Sequence, residues 1–477
     1  MLLIIIITSL ILRLISLNQS FWLDEAVQVW TTNFSIPELL ASYMPGDFNP
    51  PLYHLLTHYW IALGTSEEIV RILPLLLGVL SVYMIYKITE IIDKKNYSFI
   101  YLSAFLLATS PLHIYYSQEN RMYILACVTT LLSVFSHLYF WKIPNLKRGF
   151  IYAIAITTMS FSHFLALFTL PVFFFFDFLN SRRLTNNKKL IWLGVYLLLA
   201  ISYILYFPLL SKQLQIGMEW TKQFPAWGKI VGSFTIKAAA LLPVKFVIGR
   251  INVENRLLYS LISVTLVAFY WGLASLAVFK NTVHKKGKPF SLINRQIGMI
   301  SMLLIIPPVL GFLISFIVPV FSYFRFLFCL PFLYILIAWQ ASKNIKLFKP
   351  IAISLIIINL ACSGTYLANS QYHREDWRGM VSWLQHKNSH YDAPVIISGQ
   401  IAKPYDHYNT NSMPTVYINN FSDLEKIKPA LKQAVYLVSY GLPIFDPEDK
   451  IRQELINNNF KMTKGESFRK VGIEEWR

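Results

Sequence analysis

Residues 1–30 read MLLIIIITSLILRLISLNQSFWLDEAVQVW. The run 1–17 is apolar and long enough to enter a bilayer, with Arg13 as its one charge. Asp24-Glu25 follows directly, where such a segment would meet water. A retained first span is expected rather than a cleaved signal, because the run lacks a basic leader and a small-residue cleavage site. Working outward, apolar runs recur at about 69–92, 98–116, 121–141, 149–163, 164–179, 190–210, 257–279, 297–318, 326–341 and 350–369, which makes eleven spans with the first. The chain therefore reads as a polytopic α-helical membrane protein.

Composition agrees. Of 477 residues, 55% are hydrophobic and 14% charged, against roughly 25% charged in soluble domains. With 35 Phe, 27 Tyr and 12 Trp the chain is too apolar to be disordered. Cys127, Cys329 and Cys362 all sit in apolar runs, so neither a disulfide framework nor a zinc cluster is expected. The net charge of +18 would suggest nucleic acid in a soluble chain. Here its position argues for cytoplasmic loops instead, and no nucleic-acid partner is expected. Basic residues cluster at 94–95, 142–148, 182–189, 280–295 and 343–349, in alternate loops. The opposite loop, 18–68, has no Lys or Arg and carries Asp24, Glu25, Glu38, Asp47, Glu67 and Glu68. The N-terminus is then cytoplasmic, and residues after 369 are extracytoplasmic.

One outer loop departs from this rule. Residues 211–256 hold Lys212, Lys222, Lys229, Lys237, Lys245, Arg250 and Arg256. They read either as an interfacial helix on anionic headgroups or as a cationic wall beside an anionic substrate. After 369 the composition turns soluble. PVIIS, TVYI and AVYLV read as strands, and 377–385, 423–432 and 448–457 as helices, so 370–477 is a small α/β domain beside a membrane domain of 1–369. The end, FKMTKGESFRKVGIEEW, reads as a hairpin turning near Gly465.

Asp24 has two readings: a cap for a helix beginning at Glu25, or a carboxylate at the water–lipid boundary that takes a proton from a hydroxyl. Pro50-Pro51 opens an interfacial helix. Its His54 and His58 share a face, but without clustered acids they make no supported site for a divalent cation, and no cofactor is indicated. In SPLHIYYSQENRMY (110–123), Glu119 and Arg121 occupy a short turn on the same side. Arg121 is either a snorkelling anchor or a phosphate ligand. His163 and Arg325 fall on that face too, with Arg71 and Arg13 near it.

These stretches resemble a known family. SFWLDEA (20–26), NPPLYHLL (49–56), EEIVRILPLLLGVL (67–80), SPLHIYYSQENRMY and SHFLAL (162–167) occur in order, followed by SYFRFLFCLP (322–331) and HREDWRGMVSWL (373–384). The set is similar to membrane glycosyltransferases of the C-type fold, the bacterial relatives of protein O-mannosyltransferases and of the lipid A aminoarabinose transferase. The resemblance covers most of residues 1–390. It implies an inverting transfer of a sugar from a polyprenyl-phosphate donor to a lipid, glycan or protein acceptor on the outer face of the cytoplasmic membrane. It implies Asp24 as the catalytic acidic residue with Glu25 as its neighbour, and Arg121 as the arginine of the YSQ-x-x-R pattern. Asn49, Tyr53, Arg71, Glu119, His163, Tyr323 and Arg325 complete the substrate-binding candidates. Asn49 stands where many members carry His, and Phe48-Asn49 where aminoarabinose transferases carry Glu-Lys, which counts against a metal at this loop and against aminoarabinose as the sugar. A lipid phosphate leaves without a second carboxylic acid to protonate it, provided cations stabilise it. The rival readings are a transporter or flippase, which would place ionisable groups at the midplane, and a scaffold whose outer domain does the binding.

Overall fold

A computed structural model describes residues 1–182, 184–223, 235–282, 292–388, 392–426 and 434–477. Arg183, Lys229, the basic residues 285, 286 and 288, and much of the helix read at 423–432 lie outside the described residues.

Every segment read as a span is helical. They are α1 (Leu2–Leu14), α4 (Glu67–Ile92), the pair α5 (Tyr97–Ala108) and α6 (Pro111–Ser117), α7 (Tyr123–Lys142), α8 (Leu146–Ser160), α9 (Leu170–Ser181), α10 (Asn186–Gln223), α12 (Arg256–Thr282), α13 (Leu292–Ile314), α14 (Leu330–Ser342) and α15 (Ile345–Ala368). Between them stand α2 (Leu23–Trp30), α3 (Leu52–Trp60) and α11 (Ile236–Ile248). Among the described residues eight helices are long and apolar enough to cross a membrane, and α5–α6 makes a ninth if the bent pair is one span. α14 is buried along almost its whole length and α7 along most of it, so these two form the centre of the bundle. Lipid-facing character appears on α10, where Ile204, Leu205 and Phe207 are exposed. That helix runs well past the span read at 190–210. Its 38 residues measure about 57 Å at 1.5 Å each, against a hydrocarbon core of about 30 Å. Its far end thus stands beyond the bilayer, on the face that carries residues 18–68.

The bend between α5 and α6 is 55°. Pro111 opens α6 and frees carbonyls at the end of α5. Arg13 satisfies them. Its Nη1 donates to Ala108 O at 3.0 Å, its Nε to Ser117 Oγ at 3.1 Å, and its Nη2 meets His113 Nδ1 at 2.6 Å. Arg13 is fully buried. The charge in the first span is therefore a structural clamp on a broken helix, and not one of the cations near the outer surface. A second charged side chain at membrane level, Asp177, is equally closed. It accepts from Trp141 Nε1 at 2.5 Å, Tyr152 OH at 3.0 Å and Tyr196 OH at 2.7 Å, and pairs with His137 Nδ1 at 2.9 Å. An ion path would need such a group to be open.

The five strands among the described residues all lie near the end of the chain: β1 (Val395–Ser398), β2 (Thr415–Ile418), β3 (Val435–Val438), β4 (Met462–Phe468) and β5 (Val471–Trp476). The sheet order is β2-β1-β3-β5-β4. β1 pairs parallel with β2 and β3, while β5 is antiparallel to β3 and β4. α16 (Trp377–Lys387), α17 (Lys403–Tyr408) and α18 (Lys450–Asn457) complete the unit. The hairpin turns at Arg469-Lys470, where Lys470 has φ +64°, and not near Gly465, which lies inside β4 paired with Glu474.

Candidate active site

The first loop is built from short helical pieces. α2 carries Asp24 and Glu25 in its first turn, where the helix dipole favours negative charge. Asp24 is not the cap of this helix, since Trp22 holds that position without a side-chain bond. The two carboxylates, adjacent in sequence, point to opposite environments.

Glu25 is fully buried and closed. Arg71 Nε donates to Oε1 at 2.9 Å and Nη2 to Oε2 at 2.5 Å. Asn120 N donates to Oε1 at 2.8 Å, and Arg374 Nε lies 3.5 Å from Oε2. Burial alone would raise the Glu25 carboxyl, but Arg71 and Arg374 together bring it below the usual carboxylate range. Arg71 also donates to Leu17 O at 2.8 Å, to Gln19 O and to Ser20 O at 3.2 Å. It ties the exit of the first span to Glu25 and leaves no free edge of its guanidinium.

Asp24 keeps 32% of its side chain exposed and has one ion-pair partner among the described residues, Arg121 Nη2 at 3.7 Å. Burial of the remainder raises its carboxyl above the usual aspartate range, with Arg121 acting against it and Asp47 adding to it. Arg121 itself is only 9% exposed. Its Nε is buried with no partner among the described residues, as is Asn120 Nδ2. The turn that presents both is held from below by Tyr53, whose OH donates to Asn120 Oδ1 at 2.8 Å. Arg325 is the second cation whose charge acts on Asp24, and its Nη1 donates to Val320 O at 3.1 Å.

The other candidates take distinct places. Glu119 is buried, with Oε2 at 3.3 Å from Arg374 Nη2 and Oε1 unpartnered among the described residues. Burial pushes its carboxyl up to about 7. His163 Nδ1 accepts from Leu165 N at 3.1 Å, and burial, with Arg325 and Arg121 nearby, lowers the ring to about 3. It is a neutral ring and adds no charge to the cluster. Asn49 donates from Nδ2 and from its backbone to Asp47 Oδ1, both at 2.8 Å. Tyr323 is half-buried beside Phe324, the ring centroids 5.5 Å apart.

Four residues of this cluster were not among the sequence candidates. Asp47 accepts from Tyr43 OH at 3.2 Å and meets His54 Nε2 at 3.2 Å; burial would raise its carboxyl, but His54, the Arg121 charge and the Asn49 bond hold it well below the usual aspartate range. Asn120 joins Tyr53 to Glu25. Arg374 links Glu25 to Glu119 and donates to Tyr115 O at 3.1 Å. Arg250 donates to Tyr115 OH at 3.0 Å, and the Arg250 and Arg374 guanidinium carbons lie 4.7 and 4.6 Å from that ring centroid. Arg250 comes from the basic stretch 211–256. Lys245 of the same stretch is turned to Ile251 O and Asn252 Oδ1 at 2.9 and 2.8 Å.

No three His, Cys, Asp or Glu side chains converge to hold a metal among the described residues. His54 is bonded to Asp47 and, through Nδ1, to Thr31 Oγ1 at 3.2 Å, so it does not pair with His58 around an ion. What the arrangement offers is one accessible carboxylate with a raised proton affinity, an arginine paired with it, a second arginine whose charge acts on it, and unpaired buried donors next to it. That set suits an anionic group lodged beside a site of proton abstraction.

Comparison with known proteins places this architecture. Residues 49–207 match the family described as dolichyl-phosphate-mannose-protein mannosyltransferase. The structure of ArnT from Cupriavidus metallidurans bound to undecaprenyl phosphate aligns over 99% of this chain and 97% of its own, with a TM-score of 0.59 and 10% identity. That of the Archaeoglobus fulgidus oligosaccharyltransferase, in complex with zinc and sulfate, aligns over 92% of this chain and 68% of its own, with a TM-score of 0.54 and 14% identity. At such identities the likeness is one of fold. No curated protein sequence matches the chain.

Proposed function

We propose, from the premise that the chain belongs to the membrane glycosyltransferases of the C-type fold, that it transfers a sugar from a polyprenyl-phosphate donor to an acceptor hydroxyl or amine, with Asp24 as the base. The supporting observation is the contrast between neighbours. Glu25 is closed by Arg71, Arg374 and Asn120, while Asp24 is open, raised in proton affinity and 3.7 Å from Arg121.

The chemistry follows from these groups. The donor phosphate lies against Arg121, with Arg325 as a second cation and Arg250 at the far end of the cluster. The acceptor attacks the anomeric carbon on the face opposite the phosphate. The bond from that carbon to the phosphate oxygen breaks, and its electron pair leaves on the phosphate, where the guanidiniums stabilise it. The acceptor's proton passes to Asp24. One displacement inverts the anomeric centre. Arg71, Tyr53 and Glu25 act as positioning residues, holding α2 and the 119–121 turn.

A donor carried in the bilayer presents its phosphate at the interface while its tail stays in lipid. The membrane is the cytoplasmic one in this reading, with the N-terminus inside and residues 370–477 outside, as the basic loops suggest. The test is a panel of polyprenyl-phosphate sugars supplied to purified protein with membrane extract as acceptor source. Transfer from at least one, absent in Asp24→Asn, is the expected result; no transfer from any of them overturns the proposal.

A further inference from the structure

Asp24 is the second residue of α2, so the placement of that helix sets the placement of its carboxylate. The helix has no side-chain cap from its own N-cap residue. The cap comes from the far end of the chain. Glu375 Oε2 accepts from Leu23 N at 3.3 Å, where an anion is favoured both as hydrogen-bond acceptor and by the helix dipole. The same carboxylate accepts from Trp377 Nε1 at 3.3 Å and from Tyr440 OH at 2.9 Å. Tyr440 follows β3 and packs edge-on to Trp377, with ring centroids 5.1 Å apart.

The segment leading into α2 is held by the same domain at successive residues. Arg378 Nη2 donates to Asn18 O at 2.9 Å, and Arg374 N donates to Gln19 Oε1 at 3.0 Å. Arg378 N donates to Ser20 Oγ at 3.1 Å, and Tyr408 OH accepts from Phe21 N at 2.8 Å. Leu23 packs against the domain's own apolar core. Each of these partners lies in or at the entrance of the 370–477 unit.

We infer that this domain is the positioning element for Asp24, with Glu375 as the residue that couples its sheet to α2; the inference rests on Asp24 being the base. Glu375 is a positioning residue, since it touches α2 and not the reacting atoms. Losing it lets the first turn of α2 fray and displaces the carboxylate without removing it.

The test uses the full chain in lipid nanodiscs and two readouts on Glu375→Ala, Glu375→Gln and Tyr440→Phe. Hydrogen exchange of the amides at 22–26 needs no substrate. Turnover is measured with whichever polyprenyl-phosphate sugar the wild type uses. Glu375→Ala is expected to lose protection at α2 and to lower kcat by about 10-fold with donor KM little changed, less than the roughly 10²-fold that a full ångström's misplacement can cost. Glu375→Gln keeps an acceptor for Leu23 N and is expected to retain most of both; Tyr440→Phe falls between. Unchanged exchange in Glu375→Ala, unchanged kcat despite lost protection, or a Gln variant as poor as the Ala variant each overturns the inference. Lost protection in a protein that transfers none of the sugars offered counts against the donor reading instead.

Discussion

Arg71 grips Glu25 through two parallel bonds, Nε to Oε1 at 2.9 Å and Nη2 to Oε2 at 2.5 Å, with both side chains fully buried. The pair joins the second span to the helix that carries Asp24. Removing one member of a buried ion pair strands the other charge and costs about 3–5 kcal/mol. Arg71→Ala and Glu25→Gln are therefore expected to lower the melting temperature in detergent sharply. Asp24→Asn, at a half-buried position with one long ion pair among the described residues, is expected to melt near wild type. Arg71→Ala melting like wild type would show that the pair does not hold the loop.

Asp24→Asn keeps the size of the side chain and its place in α2, but an amide cannot take a proton. Transfer is expected to fall by about 10²-fold or more. Activity within a few-fold of wild type would remove Asp24 as the base. Glu25 could not simply replace it, because its carboxylate is enclosed.

Arg121→Ala is expected to weaken use of the donor far more than Arg121→Lys. Lysine keeps the charge but loses the planar fork that matches phosphate oxygens. The measurement is donor KM against kcat in both variants. Equal, small effects would reduce Arg121 to an anchor at the interface.

Two pH dependences follow from the carboxyls. Asp24 works ionised, so activity is lost as pH falls through its pKa, which burial raises. The acid limb of kcat/KM is expected above the ordinary aspartate range, and Arg121→Ala, which removes the opposing charge, should shift it to still higher pH. Glu119 acts on stability. Its folded-state value of about 7 exceeds the ordinary 4.5, so the unfolded chain ionises first as pH rises. Stability is expected to fall between about pH 4.5 and 7 and to level off above, with Glu119→Gln flattening that slope. Melting curves across this range check the sign; a wild type that gains stability there relative to the Gln variant contradicts it.

Much of this architecture is legible in the sequence, because bilayer thickness imposes a length on each span and lysine bias imposes an alternation. Every span reads from its apolar run, and the three strands PVIIS, TVYI and AVYLV read from theirs. The face shared by Asp24, Arg121, His163 and Arg325 follows from topology alone. What topology does not reveal is which charges are already neutralised. Arg13 looks like a surface cation until the break after Ala108 supplies it with carbonyls. Arg71 looks like a phosphate ligand until Glu25 takes both its edges. Arg374 stands 255 residues beyond Glu119, and only tertiary packing brings them together. Its HREDW context was visible, but no spacing rule connects it to the loop at 18–68. The hairpin turn is not legible at Gly465, because glycine is the usual positive-φ residue whereas Lys470 takes that conformation here.

The orientation is tested by single cysteines. Lys464, 59% exposed on β4, is expected to label from the extracytoplasmic side as Lys464→Cys, and Lys94→Cys from the cytoplasmic side. Labelling of Lys464→Cys from inside would invert the topology.

The central claim is that the sugar arrives on a lipid phosphate. The most direct measurement supplies purified protein and acceptor, in membranes stripped of carrier lipid, with either a nucleotide sugar or the matching polyprenyl-phosphate sugar. The account predicts turnover with the lipid-linked sugar alone, lost in Asp24→Asn. Turnover with the nucleotide sugar alone would contradict it.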